Sequence, residues 1–549
     1  MGICIHMNIS YSVTREEWAD VYQETLRLVE AFPMAEVRGV PVRGILTRCL
    51  VQTVEREFDN EWDDSVCVGW KANGDYDTIS SAEEYFLPRD LVRDDRFDED
   101  APDALYGQLP VYLDGYDWKD RRFDCCYSLW GRKTQGEPYH MYVLAVACLI
   151  AARLGRKAYV SGDITYGQCE RAVRMANEHL DEPIAVPDWC DMDRLLERVR
   201  GLSLTQQEVL ALFTRLYLGE RDAAFGAYVR EHFSEQECDA YWAQRFDGYE
   251  VGAVGFNRTL KEYLLWGFGL ERLCSLVSLT DDEGNDLHER FVTKIMDSKL
   301  HLREKDCTDV LDIDADQDVP YGIGIQFAQV FLAGARNWKV DRYIPLEEIR
   351  SALRRSIGDQ CPTDEIIDAY IAREAEDMAY LSTSGPDTDV EKAIGIDPSR
   401  ALNENMRAMV EVEEELERKY DIARYELLPY FETGDTVNPA IMKSVCGYYT
   451  FYLGVTGEDR YLELMAGTPE ERSRWLQGQN RSILLRDVDW ERIYDDISAR
   501  PESFARYYPM VRVAANSDEV RSVVRAFVTN DELWSHVGEL AADFDESET

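Results

Sequence analysis

The pattern of apolar residues changes near residue 188, and this change constrains the fold more than any other sequence feature. Before it, runs of strand-forming residues alternate with helical patterns. Thr14 and Glu17 have the spacing of a capping box, which starts the first predicted helix. The run Val40–Thr53 is typical of a strand. We therefore predict an N-terminal α/β module over residues 1–187, a small sheet with helices.

The second half of this module also alternates between helix and strand. Glu137–Leu154 is predicted to form a strongly apolar helix with a proline in its first turn. Lys157–Ser161 follows as a strand and Thr165–Leu180 as a second helix. This order favours an α/β layer that continues the opening sheet. The charged stretch 88–122 has no sustained period, and we interpret it as an irregular acidic excursion.

From residue 188 onward the pattern is helical. A loop-forming STSGPDTD sequence separates a predicted helical domain over 188–383 from a second over 384–549. Near the C terminus, Tyr508–Ala514 and Arg521–Thr529 have strand composition and predict a β-hairpin followed by a helix. We expect this hairpin to pack on the N-terminal sheet or to cap the helical region. The fold class is then mixed α+β, with an α/β module, a large mainly α-helical region and a C-terminal β-hairpin plus helix.

The charge of the chain restricts its partners. With 105 acidic and 60 basic residues, the formal net charge is −45. Nucleic-acid binding depends on clustered Lys and Arg, and we find only isolated basic pairs such as Arg121-Arg122. Anionic membranes are disfavoured by the same charge. A disordered acidic polymer is excluded because 45% of the residues are hydrophobic. We expect a solubilising acidic surface, with neither a nucleic acid nor a membrane as partner.

Cysteine usage and the N-terminal segment bear on the compartment. The 13 cysteines are irregularly spaced and form no CxxC motif, which indicates free thiols in a reducing environment. The first residues lack the basic and apolar regions of a signal peptide. The most apolar run, Met141–Ala152, is too short to cross a bilayer. These features predict a cytoplasmic protein.

The strand end around Asp163 is the strongest candidate for a catalytic site. Ligands of α/β folds bind beyond the carboxyl ends of strands, and Asp163 could hold a metal, a ribose hydroxyl or a substrate amine there. His140 and Glu137 begin the preceding helix and would lie near this edge if the strands are neighbours. His140 would then carry the proton. The alternative is that Asp163 and Thr165 cap the following helix and that His140 is a structural histidine.

Three cysteines are candidates for a nucleophile or a shared metal site. Cys169 lies near the first turn of a predicted helix, where the helix N terminus lowers a thiol pKa, so a nucleophile with His140 as base is a further hypothesis. No local signature of a cysteine protease accompanies it. The adjacent Cys125 and Cys126 lie in a predicted strand, and neighbouring strand residues point to opposite faces. We therefore expect no shared metal site between them.

An acidic stretch places Asp312, Asp314 and Asp316 at every second residue, as in the first positions of an EF-hand loop. Gln317 stands where that loop needs Gly, and Ile323 where it needs a bidentate Glu. We interpret the stretch as a loop with solvated carboxylates. The alternative is that the three aspartates bind a divalent cation weakly, and no other cofactor is indicated.

The absence of catalytic motifs shapes the functional hypothesis. The sequence contains no GxxxxGK[ST], GxGxxG, HExxH or GxSxG motif. Our leading hypothesis is a non-catalytic protein-interaction or scaffold module with surfaces for a protein partner. The first alternative is a metal- or nucleotide-dependent enzyme with its site around Asp163. The second is an acidic inhibitor that mimics nucleic acid, which needs carboxylates arrayed on a rigid face.

The cation alternative predicts heat when Ca²⁺ is titrated into the chain at millimolar concentration. Asp312→Asn combined with Asp314→Asn removes two charged ligands and should abolish that heat. Isothermal titration calorimetry of both proteins measures the difference. A titration without heat excludes the site and leaves the solvated loop.

Overall fold

The computed structural model describes residues 3–59, 66–91, 98, 100–117, 119–281, 283–303, 340–383, 425–512 and 518–547. Within these ranges the strands are β1 (Cys4–Ser10), β2 (Met34–Val42), β3 (Ile45–Gln52), β4 (Arg56–Asp59), β5 (Val66–Asp75), β6 (Ser80–Pro88), β7 (Cys126–Lys133) and β8 (Ala158–Gly162). Every described strand pair is antiparallel. One sheet has the order β7-β1-β8; the other has the order β3-β2-β5-β4, with β6 also paired to β5.

The α-helices of the described ranges are numbered in chain order. They are α1 (Arg15–Ala31), α2 (Leu109–Tyr112), α3 (Tyr139–Leu154), α4 (Tyr166–Asn177), α5 (Met192–Arg200), α6 (Gln206–Leu216), α7 (Ala223–His232), α8 (Glu235–Asp247), α9 (Val254–Leu265), α10 (Leu270–Leu276), α11 (His288–Asp297), α12 (Leu346–Ile357), α13 (Thr363–Thr383), α14 (Pro439–Val455), α15 (Asp459–Ala466), α16 (Pro469–Gln479), α17 (Asp487–Ala499), α18 (Phe504–Tyr507), α19 (Asp518–Thr529) and α20 (Asp531–Ser547).

The chain forms two compact units. Unit 1 comprises Met1–Leu202 and Arg418–Thr549, and unit 2 comprises Ser203–Glu417. Small N-terminal sheets with helices, a large helical region and C-terminal helices make the fold mixed α+β, so the predicted fold class is confirmed except for its C-terminal hairpin. Compact units need not coincide with independently folding domains. The three-domain division at residues 187 and 383 therefore stays a prediction.

Helix α3 is buried within the N-terminal part of unit 1 and confirms the predicted apolar helix. Twelve of its 16 residues are buried. A helix that is apolar all round has to be covered on every side, and α3 contacts α1, α4, β1, β5 and β8. In β1, alternate residues are buried, as expected for a strand with one covered face. Those residues are Ile5, Met7 and Ile9.

The run Val40–Thr53, which reads as one strand, contains a hairpin between β2 and β3. Arg43 has φ 47° and Gly44 has φ 78°. A two-residue turn with both φ values positive matches the twist of the flanking strands. The turn is difficult to predict from the sequence because strand-forming residues stand on both sides of it. Gly44 is the only residue there that indicates a turn.

The predicted C-terminal β-hairpin is wrong. Its first segment contains a 3₁₀ turn, Tyr508–Val511, and its second segment lies in helix α19. Four buried apolar residues of α19 recur at helical spacing, so burial of one helix face decides the structure against the β-forming composition. These residues are Val523, Val524, Phe527 and Val528.

Although it forms no hairpin, the C-terminal segment packs on the N-terminal part of unit 1. This is one of the two positions that were expected for it. Val42 and Ile45, which flank the β2–β3 turn, share one hydrophobic core with Phe504 and Phe527. A backbone hydrogen bond also connects the two parts, since the Leu50 N–H donates to the Leu485 carbonyl at 2.9 Å. Residues far apart in sequence thus form one folding unit.

Unit 2 is helical in its described part, which contains α6 to α13. Its core is rich in aromatic rings, and Trp242 and Trp266 meet edge to face with centroids 4.8 Å apart. Both tryptophans are fully buried. Among the described helices of the whole chain, none is long and apolar enough to cross a membrane.

A buried ion pair orders the described part of the predicted acidic excursion. Arg198 is 3% exposed and donates from Nε and Nη2 to the carboxylate of Asp103 at 3.0 and 2.8 Å. Its Nη1 donates to Asp188 at 3.2 Å, and Nη2 also donates to the Ala158 carbonyl at 3.0 Å. Asp103 in turn caps the 3₁₀ turn Ala104–Gln108. The excursion is therefore anchored to β8 and α5 by charge.

Loss of the Arg198 side chain should destabilise the fold strongly. Arg198→Ala leaves the buried Asp103 carboxylate without its cation, which costs about 3–5 kcal/mol of unfolding free energy. Urea unfolding of the full chain measures this loss. Arg174→Ala, at an exposed position in α4, is the matched control and should change stability by less than about 0.5 kcal/mol. A similar effect of both substitutions would show that Arg198 does not anchor the excursion.

Candidate functional site

The sheet β7-β1-β8 has a polar face at the predicted site. Cys4, His6 and Asn8 alternate with the buried residues of β1 and are partly exposed. His6 lies opposite Gly131 of β7 and Ser161 of β8. Directly paired residues share one face of a sheet, so polar groups from three strands are brought together here.

Asp163 lies directly after β8, as predicted, and is bound to the start of β1. Its N–H donates to the Cys4 carbonyl at 2.9 Å. Its Oδ2 accepts from the Cys4 N–H at 2.9 Å and from the Cys4 thiol at 3.1 Å. The bond from the Cys4 N–H, followed by the bond from the Cys4 thiol, lowers the pKa of Asp163, which stays ionised. Burial and the bond to Asp163 raise the pKa of the Cys4 thiol, so it is not activated as a nucleophile.

Thr165, not Asp163, caps helix α4. The Thr165 hydroxyl accepts from the Gln168 N–H at 3.2 Å, and the Gln168 side chain accepts from the Thr165 N–H at 3.0 Å. The alternative in which both residues cap the helix is therefore right for Thr165 alone. Asp163 has a different role, which is to join the ends of β1 and β8.

His140 is buried near the same end of the sheet. It is 3% exposed, and its Nδ1 lies 2.7 Å from the Thr134 hydroxyl oxygen. Burial lowers the pKa of His140, although the Gln168 side chain and the Asp163 carboxylate act in the opposite direction. The imidazole is thus held mainly in its neutral form. Thr134 also binds the N-terminal segment, because its N–H donates to the Ile3 carbonyl at 2.8 Å.

Glu137 lies in the turn that leads into α3. Its carbonyl accepts from the His140 N–H at 2.8 Å, and its N–H donates to the Thr134 carbonyl at 3.1 Å. The structure thus brings the backbone of Glu137 next to His140. Asp163 and His140 influence each other's pKa, and no hydrogen bond between their side chains is among the contacts described. The catalytic role of the three residues stays a prediction.

Cys169 is fully buried beside two other cysteines. The hydrogen bond with Cys148 is the main cause of its raised pKa, and burial adds to it. Cys190 also contacts it. A buried, protonated thiol reacts poorly, so these surroundings favour a packing role over the nucleophile hypothesis.

The predicted cation ligands Asp312, Asp314 and Asp316 lie outside the described residues. Within the described ranges, no group of three or more His, Cys, Asp or Glu side chains has an arrangement that could hold a metal ion.

A second candidate site, which the sequence reasoning missed, is the exposed face of α14. This helix resembles α3 in composition, since each contains a single Lys or Arg and no acidic residue, in a chain of which 30% is charged. Burial separates the two helices. Only four of the 17 residues of α14 are buried, on the side that contacts α18 and α20. The low charge of this segment is the sequence signal that could have revealed it.

The exposed face of α14 is a strip of small residues between two apolar side chains, and the exposed Lys443 lies on the same side one turn before Gly447. Gly447, Thr450 and Gly454 follow each other at helical spacing, and a Cβ at either glycine would meet no atom within 4 Å. Phe451 and Leu453 flank the strip and are 43% and 53% exposed. The Thr450 hydroxyl donates to the Cys446 carbonyl at 3.1 Å, so its hydrogen is used within the helix. We call this surface the α14 face.

Comparison with known proteins yields no relative for this chain. No family model matches it, and no curated protein and no solved structure matches it either.

Burial of His140 predicts a pH-dependent stability. Its pKa is below 6.5 in the folded chain, so the unfolded chain binds the proton at higher pH. Stability is therefore fully present above about pH 6.5 and falls as the pH drops through the window below that value. His140→Asn removes this contribution, so its unfolding free energy should fall less than that of the natural chain between pH 7 and pH 5.

Urea unfolding at the two pH values measures the difference. His179→Asn, at an exposed position in unit 1, is the control and should retain the pH dependence of the natural chain. Identical pH dependence in His140→Asn and the natural chain would contradict the prediction.

Proposed function

We propose that this chain is a protein-interaction module that binds its partner through the α14 face. The observation that carries the proposal is the contrast between two helices of similar composition, one buried all round and the other open along a whole side. Isolated exposed apolar residues are ordinary on protein surfaces, whereas a helix face with a single charge, that of Lys443, in a highly charged chain favours an interaction site.

The shape of the α14 face favours a helical partner segment. Because Gly447 and Gly454 have no side chains and open space above them, another helix can approach closely along the strip. Phe451 and Leu453 then contact the apolar side of that helix on both flanks. This is the helix-in-groove mode of recognition, with apolar anchors at helical spacing.

Charge selects the partner. The net charge of −45 attracts segments that carry Lys and Arg, and it repels a second copy of the same chain. The proposed occupant is therefore an amphipathic helix of another protein, apolar on one side and basic at its borders. A cytoplasmic location, as predicted from the cysteines, fits a partner of this kind.

The surroundings of Asp163 and His140 support the interaction proposal over the enzymatic alternative. Asp163 uses its carboxylate to hold Cys4, and the imidazole of His140 is buried against Thr134. A general acid or base needs access to its substrate, which a 3% exposed side chain does not offer.

Polar substitutions on the α14 face should abolish partner binding without unfolding the chain. A photo-crosslinking amino acid at position 450 first captures the partner in the native cells, and mass spectrometry locates the crosslinked peptide. We expect an apolar peptide with Lys and Arg at its borders. The full chain with Phe451→Gln and Leu453→Gln should then bind the purified partner at least about tenfold more weakly, because apolar anchors are lost.

Leu462→Gln is the matched control, since Leu462 is 55% exposed on α15 and is outside the proposed surface. This variant should bind like the natural chain, and circular dichroism should show all variants folded. A crosslink to a second copy of the chain would contradict the proposal. Equal losses of binding in the α14 variant and in Leu462→Gln would contradict it as well.

A further inference from the structure

The sulfur atoms of Cys125 and Cys126 converge, although strand alternation predicts opposite faces. A Cβ on Gly107 would lie 2.8 Å from the Cys126 sulfur and 3.1 Å from the Cys125 sulfur. Both sulfurs therefore occupy the space next to this glycine, and no larger residue would fit there. The prediction of opposite faces is wrong because β7 begins only at Cys126, so alternation does not extend to Cys125.

The two thiols differ in exposure. Cys125 is 4% exposed, whereas Cys126 is partly accessible. The Cys125 sulfur lies 4.0 Å from the Asp103 carbonyl, and the Cys126 sulfur lies 3.8 Å from the Ala104 carbonyl. The Gln108 side-chain amide donates toward the Cys126 sulfur at 3.9 Å. The pair thus combines a buried residue, Cys125, with a partly exposed one, Cys126.

The pKa values of the two thiols also shift in opposite directions. The hydrogen bond from Cys125, with a contribution from Gln108, lowers the pKa of Cys126 despite its burial. The bond to Cys126 and burial raise the pKa of Cys125. Cys126 is the sulfur that ionises first, and Cys125 keeps its proton.

We propose that Cys125 and Cys126 form a redox-active dithiol site that reacts with small disulfides and closes to a disulfide between adjacent residues. The geometry carries the proposal, because the two sulfurs already meet at Gly107. All described cysteines are free thiols, so the site is in its reduced form. This proposal is independent of the α14 face.

The reaction proceeds by two thiol–disulfide exchanges. The Cys126 thiolate attacks one sulfur of a small disulfide; the S–S bond of that disulfide breaks, and one small thiolate leaves. The sulfur of Cys125 then attacks the sulfur of Cys126, expels the second small thiolate and gives up its proton to it. The protein pair is oxidised by two electrons and the small disulfide is reduced to two thiols.

Oxidised glutathione is the probe that tests the site. The folded full chain is incubated with it, the remaining thiols are alkylated after denaturation, and peptides are analysed by mass spectrometry. We expect the peptide with Cys125 and Cys126 to escape alkylation, to have lost two hydrogens, and to regain both after reduction. The buried cluster Cys148, Cys169 and Cys190 is the internal control and should be fully alkylated.

Two variants separate the roles of the cysteines. Cys125→Ser should keep a glutathione adduct on Cys126 that is not resolved, and Cys126→Ser should react at least about tenfold more slowly, because its remaining thiol is buried. Full alkylation of both residues in the natural chain would overturn the proposal. An unresolved adduct in the natural chain, or equal rates in the natural chain and Cys126→Ser, would also overturn it.

Discussion

The burial of helix α3 is the constraint on which the N-terminal part of unit 1 depends. A helix with 12 of 16 residues buried has no side that can face water, so every neighbouring element has to supply apolar surface. Helices α1 and α4 and three strands do so. The candidate site is a consequence of this arrangement. His140 is buried because it is the second residue of α3, and Asp163 comes near it because β8 covers the same helix.

The same physical rule gives α14 its significance. The apolar composition of α14 favours burial as much as that of α3 does. The described contacts nevertheless bury only one side of α14. An apolar surface left in water lowers the free energy of any complex that buries it, by about 25 cal/mol for each Å² removed from water. Binding, as proposed for this face, needs no catalytic group. The face is built on a helix that is anchored in the core through Val445 and Tyr452, so the core fixes its position.

Local patterns were predictable from the sequence, whereas contacts between distant residues were not. The capping box that begins α1, the Thr165 cap of α4 and the extent of α3 depend on neighbouring residues, and the structure has them. The position of Asp163 at a strand end was also correct. Its bond to Cys4 joins residues that are 159 positions apart in the sequence, and no local pattern specifies such a contact. In α19, the mixture of Val and Phe suits a strand or a helix, and only the core against which it packs decides between them.

The excess negative charge is independent of how the ion pairs are arranged. In each ion pair, such as Arg198 with Asp103 or Arg153 with Glu24, one positive charge neutralises one negative charge. Since 60 basic residues can neutralise at most 60 of the 105 acidic ones, a surplus of 45 remains whatever the pairing. Carboxylates are strongly hydrated and are seldom buried without a partner, so this surplus lies at the surface. If the α14 face binds a partner as proposed, that partner has to tolerate or compensate the surrounding acids, which favours basic borders on it.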